Sequence, residues 1–100
     1  MDAAFLDRVE NRWHALIRSA SAAACRSRVS RPRTGELRIE VETNEAQAVI
    51  AAWESSRTLR IVVHRFKDDR VLFDGGCPTD HELERRLGSL CSELSASPFA

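Results

Sequence analysis

The chain has 100 residues and a mass of 11.2 kDa, which bounds it to one small domain. Hydrophobic residues make up 43% and charged residues 30%, and fifteen basic side chains balance fifteen acidic ones. No global charge draws such a chain to nucleic acid or to a membrane surface, and no apolar run approaches the roughly 18 residues of a membrane span.

Residues Ala3 to Ala24 carry apolar side chains at helical spacing: Phe5, Leu6, Val9, Trp13, Leu16, Ile17 and Ala20. Arg8, Glu10, Arg12 and Arg18 fill the other side, so the segment reads as an amphipathic helix with a stripe to bury. Asp2 and Asp7 suit its N-terminal dipole, and with these acids the segment does not read as a signal peptide.

Cys25 to Gly35 reads as a loop, with Arg26, Arg28, Arg31 and Arg33 around Pro32. Glu36 to Glu42 alternates strictly: Leu37, Ile39 and Val41 point one way, and Glu36, Arg38, Glu40 and Glu42 the other. That is a half-buried strand.

Ala46 to Trp53 is ambiguous. Its alanines and Gln47 favour helix with Asn44 as a cap, whereas its length and the preceding turn favour a hairpin strand. Thr58 to Phe66 is β-branched and apolar, a well-buried central strand. Lys67 to Asp69 reads as a turn and Arg70 to Asp74 as a short strand ended by Gly75 and Gly76. Thr79-Asp80-His81-Glu82 is a capping box, followed by the stripe Leu83, Leu87, Leu90 and Leu94. Ser95 to Ala100 is expected to fray. The expected fold is α+β: an N-terminal helix, a four-stranded antiparallel β-meander and a C-terminal helix, with both helices on one face of the sheet.

Catalytic and ligand signatures are missing from the sequence. There is no Gly-rich phosphate loop, G-x-S-x-G or H-E-x-x-H, and none of His14, His64 and His81 shows an oriented partner. Cys25, Cys77 and Cys91 form no C-x-x-C pair. They read as reduced thiols of a cytoplasmic protein, and Cys77, His81 and Cys91 make only a loose metal spacing. The expectation is therefore no enzyme, no metal and no cofactor.

Charge is unevenly spread. Residues 1–34 hold seven arginines against three acids, a net of +4. Residues 35–54 hold Arg38 alone against five glutamates, a net of −4. The arginine loop suggests either phosphate contacts or a solvated loop, and without interleaved aromatics the second reading prevails. The Glu36, Glu40 and Glu42 face is either the solvent side of a sheet or a docking surface for a basic partner.

At Trp53-Glu54 the chain resembles the small TriTu-type immunity proteins of bacterial polymorphic toxin systems. The resemblance runs over about 80 residues: an N-terminal helix, the Leu37-Arg38-Ile39-Glu40-Val41-Glu42 strand, a strand Gln47 to Glu54 ending in Trp-Glu, the strand Leu59 to Val63, and the capped helix Thr79 to Leu94 with Glu82-Leu83. Where that family usually has a glycine turn, this chain has Ser55, Ser56 and Arg57, and the arginine loop also departs from the pattern. The resemblance implies that residues 46–53 form a strand. It further implies a non-enzymatic inhibitor of one cognate toxin inside the producing cell.

Such a protein needs a complementary surface in place of a catalytic group. Trp53 is the first candidate anchor, against the reading of a core tryptophan under the helices, and Glu40, Glu42 and Glu54 are the next candidates. An adaptor or chaperone for a secreted effector is the competing class, and a nucleic-acid module built on the arginine loop is a third. A homodimer through an open sheet edge is compatible with each.

Overall fold

The structure, a computed structural model, describes residues 4–19, 26–43, 46–65, 68–77 and 79–95. Seven elements follow in chain order. Helix α1 (Phe5–Ser19) precedes strands β1 (Arg26–Ser30), β2 (Glu36–Glu42), β3 (Ala46–Trp53), β4 (Thr58–Arg65) and β5 (Asp68–Gly76), and helix α2 (Asp80–Ser95) closes the fold. The strands form one antiparallel sheet in sequence order, an uninterrupted meander.

The α+β meander with both helices on one face stands, with a fifth strand in place of four. Part of the stretch read as an arginine loop is strand β1, which pairs with β2 from Arg26↔Glu42 to Ser30↔Arg38. Its sequence hides this because only Val29 packs against the core, and an edge strand with one apolar residue has no alternating apolar signal. β5 is also longer than the Arg70 to Asp74 reading, and takes in Asp68 and Asp69. A bulge opposite Ile61 and Val62 interrupts its register. Residues 46–53 are a strand, with burial alternating as a half-covered sheet requires. Ser95, expected to fray, instead closes α2, whereas the expected continuation of α1 to Ala24, the strand end at Phe66, the turn residue Lys67 and the fraying from Ala96 onward fall outside the described residues.

The helix-covered face carries the core. Leu37, Ile39 and Val41 from β2, Ala48, Ile50 and Ala52 from β3, and Leu59, Ile61 and Val63 from β4 are all buried. Against them pack Phe5, Leu6, Val9 and Trp13 of α1 and Leu83, Leu87 and Leu90 of α2. Alanines at alternate β3 positions leave room for the larger helix side chains above the sheet centre. Surface ion pairs join the two helices, Arg8 to Asp80 at 3.3 Å and Arg12 to Glu84 at 3.8 Å. Arg31 ties the β1–β2 connection to α1 through Asp7 at 2.7 Å and Glu10 at 3.4 Å.

Half of the expected capping box forms. The Glu82 backbone N–H donates to the Thr79 hydroxyl at 3.1 Å, while the Glu82 carboxylate meets Arg86 at 3.6 Å. The β3–β4 connection turns through residues 54–57 and places Arg57 at φ 50°, a left-handed conformation that glycine adopts without cost. Arg57 holds this position between two backbone bonds, its N–H to the Glu54 carbonyl and its carbonyl from the Cys77 N–H. Among the described residues no helix is long and apolar enough to cross a membrane.

Candidate protein-docking face

Among the described residues no helix lies over the second face of the sheet, and its side chains follow directly from the strand registers. Charge alternates from strand to strand. β1 contributes Arg26 and Arg28, and β2 contributes Glu36, Glu40 and Glu42 with Arg38. β3 is uncharged here, with Gln47, Val49, Ala51 and Trp53; β4 adds Arg60 and His64, and β5 adds Asp69 and Asp74. An apolar row crosses the middle, where Val49 pairs with Val62 and Val62 with Val71. Val71 is 50% exposed, the one large hydrophobic among the described residues left so open.

Trp53 stands on this open face and is half-buried. The tryptophan under the helices is Trp13, at 1% exposure. Trp53 lies at the end of β3, paired with Glu36 on one side and Thr58 on the other. It lines a groove of about 360 Å³ with Val49, Ala51 and Val62 beneath, Arg38 and Arg60 at the sides, and Glu36 and His64 toward the two ends. A second depression of about 510 Å³ lies over β1 and β2 and includes Arg26, Arg28, Glu40 and Glu42.

Glu40 and Glu42 project from the open face, as the strand alternation predicts. Their negative charge is offset locally: Glu40 sits opposite Arg28 and within 3.4 Å of Arg38, and Glu42 sits opposite Arg26. The acidic strip is therefore one band of a striped surface.

Glu54 is placed differently from the other three. Its carboxylate reaches the start of α1, where Oε2 accepts the Phe5 N–H at 3.0 Å and Oε1 accepts the Leu6 N–H at 3.2 Å. Those amides have no partner within the helix, and an anion at a helix N-terminus is favourable twice over, through hydrogen bonds and through the dipole. Glu54 is thus committed to holding α1 on the sheet.

Three groups on this face were not evident from the residues in order. Arg38 and Arg60 flank Ala51 across the sheet, a juxtaposition created by two hairpin registers. His64 has an oriented partner after all, with Nδ1 2.8 Å from Asp69 Oδ1 across β4 and β5. The pairing Arg65↔Asp68 sets His64 opposite Asp69, a register that no local pattern in the sequence fixes. Of the loose Cys77, His81 and Cys91 set, Cys77 is buried, His81 exposed and Cys91 half-buried, and no group of three potential metal ligands exists among the described residues. Burial pushes the Cys77 thiol pKa up, partly offset by the charge of Arg86.

In comparisons with known proteins, the chain matches no family model, no curated protein and no solved structure.

Proposed function

We propose that this chain is a non-enzymatic immunity protein that binds and neutralises a cognate toxin domain in the cytoplasm of the producing cell, docking through the open face of its sheet. The observation that carries this reading is Trp53, a large aromatic left half-buried on a face that no helix of the described residues covers, beside a row of valines and inside bands of alternating charge. Interface hot spots are enriched in tryptophan and arginine, surrounded by polar groups that exclude water. Alternating charge bands select one partner and one orientation through complementarity. The resemblance to TriTu-type immunity proteins around Trp53-Glu54 gives the partner its class.

Purification of the tagged chain from its native cells, with mass spectrometry of what accompanies it, tests the proposal. The expected result is a stoichiometric protein whose expression is toxic alone and harmless alongside this chain. A partner that is bound but stays active indicates an adaptor. Recovery of nucleic acid only, or of the chain alone as a homodimer, overturns the immunity reading.

A further inference from the structure

Ala51 is a small side chain in the middle of the open face, and the registers set Arg38 and Arg60 on either side of it. Adjacent strands lie about 4.8 Å apart, so the two arginine Cα atoms are about 10 Å apart, with the alanine leaving space between them. Both arginines line the 360 Å³ groove, whose floor is Val49, Ala51 and Val62, with Trp53 and Glu36 at one end and His64 toward the other. This arrangement is a slot with two guanidinium groups at the sides and apolar surface beneath.

We infer that this slot receives a single carboxylate side chain, flanked by an apolar residue, from the partner protein that docks on the open face. The inference rests on the docking reading above and adds the chemistry of what is docked. Guanidinium groups offer paired N–H donors that match a carboxylate, and two of them facing one anion form charge-assisted bonds from both sides. Each arginine already leans on a carboxylate of this chain, Arg38 on Glu40 at 3.4 Å and Arg60 on Asp74 at 4.0 Å. Those side chains are about half exposed, and ion pairs of that kind are weak enough for a better-placed carboxylate to displace them. The adjoining valines and the indole bury the apolar neighbour of the incoming acid.

Charge decides between a protein carboxylate and a phosphate chain. Glu36 lines the slot beside Trp53, Glu40 follows Arg38 on the same face of β2, and Asp74 stands opposite Arg60 on β5. A polyanion crossing the slot passes those carboxylates on both sides, whereas one acidic side chain fits between them. The same borders favour basic residues on the partner's flanks, so the docked surface presents an Asp or Glu next to an apolar residue and between basic ones.

The test uses the full chain labelled with nitrogen-15 and the capped tripeptide acetyl-Leu-Glu-Leu-amide as probe, against acetyl-Leu-Gln-Leu-amide and a short oligothymidylate. A ligand this small binds at about the millimolar level, so titration to about 10 mM is required. The glutamate peptide is expected to shift the backbone amides of Arg38, Ala51 and Arg60 and the Trp53 indole N–H, leaving the buried Trp13 indole unmoved. The glutamine peptide, or the Arg60→Gln variant, is expected to bind at least about fivefold more weakly. Equal shifts from the two peptides, shifts centred elsewhere, no shift at about 10 mM, or displacement of the peptide by oligothymidylate each overturns the inference. If the peptide result fails while Trp53→Ala still abolishes partner capture, the docking reading survives without the carboxylate slot. If the peptide result holds while capture ignores Trp53, the slot's affinity for a carboxylate stands, but the docking reading falls and with it the partner as the source of that carboxylate.

Discussion

The same three central strands build both faces of the sheet, yet the two faces differ in charge and in burial. On the helix side, β2, β3 and β4 present leucine, isoleucine, valine and alanine, all buried under α1 and α2. On the other side they present glutamates, arginines, a histidine, Gln47, Ala51, two valines and Trp53, with no helix among the described residues above them. The two tryptophans express the contrast: Trp13 is 1% exposed beneath the helices, whereas Trp53 stands half-buried on the open face. A two-residue period in each strand is enough to assign one face to the core and leave the other for the recognition proposed above. This division breaks if a residue on one face affects the property assigned to the other.

The largest effect is expected at Trp13. Trp13→Ala empties the space between α1 and the sheet and should cost about 3–5 kcal/mol in urea denaturation, a large part of the stability of a small domain. A loss below about 1 kcal/mol would mean that α1 does not pack as described.

Glu54 tests the link between the two faces, because the residue after Trp53 serves the helix side. Glu54→Ala leaves the Phe5 and Leu6 amides without their acceptor and should cost about 1–2 kcal/mol. For a domain of this size that is a fall in Tm of roughly 4–8 °C per kcal/mol. Partner affinity should change much less than it does for Trp53→Ala, and an equal loss would place Glu54 at the interface.

A smaller effect of opposite sign is expected at the β3–β4 turn. Arg57→Gly relieves the left-handed backbone at φ 50° and should stabilise the chain by about 0.5–1 kcal/mol. The smallest effect concerns Cys77. Its folded thiol pKa is raised by burial, so the folded chain holds the proton where the unfolded chain releases it. Stability from this source is intact at neutral pH and lost as pH climbs through and above the ordinary thiol range; Cys77→Ala should flatten that alkaline slope in a series of thermal melts.

Much of the fold was legible because most elements carry a periodic apolar signal. Leu37, Ile39 and Val41 announced β2, and Leu83, Leu87 and Leu90 announced α2. β1 was illegible for the converse reason: four of its five residues are polar, and its pairing depends on the backbone of β2. Propensity alone did not decide β3, since alanine favours helix; the alternating burial shows that packing under α1 and α2 overrides it. Of the candidate site residues, Glu40 and Glu42 took their outward positions from strand phase. The placing of Trp53 depended on which β3 face the helices cover. The engagement of Glu54 with α1 spans nearly fifty positions, beyond any local pattern.

The central claim is that the open face recognises and the covered face stabilises. Its most direct test is calorimetric titration of the captured partner against the wild-type chain and Trp53→Ala, with urea denaturation of both. The expected result is an affinity loss of about 30-fold or more with a stability change under about 1 kcal/mol. Unchanged affinity, or a loss of stability as large as that for Trp13→Ala, would contradict the claim.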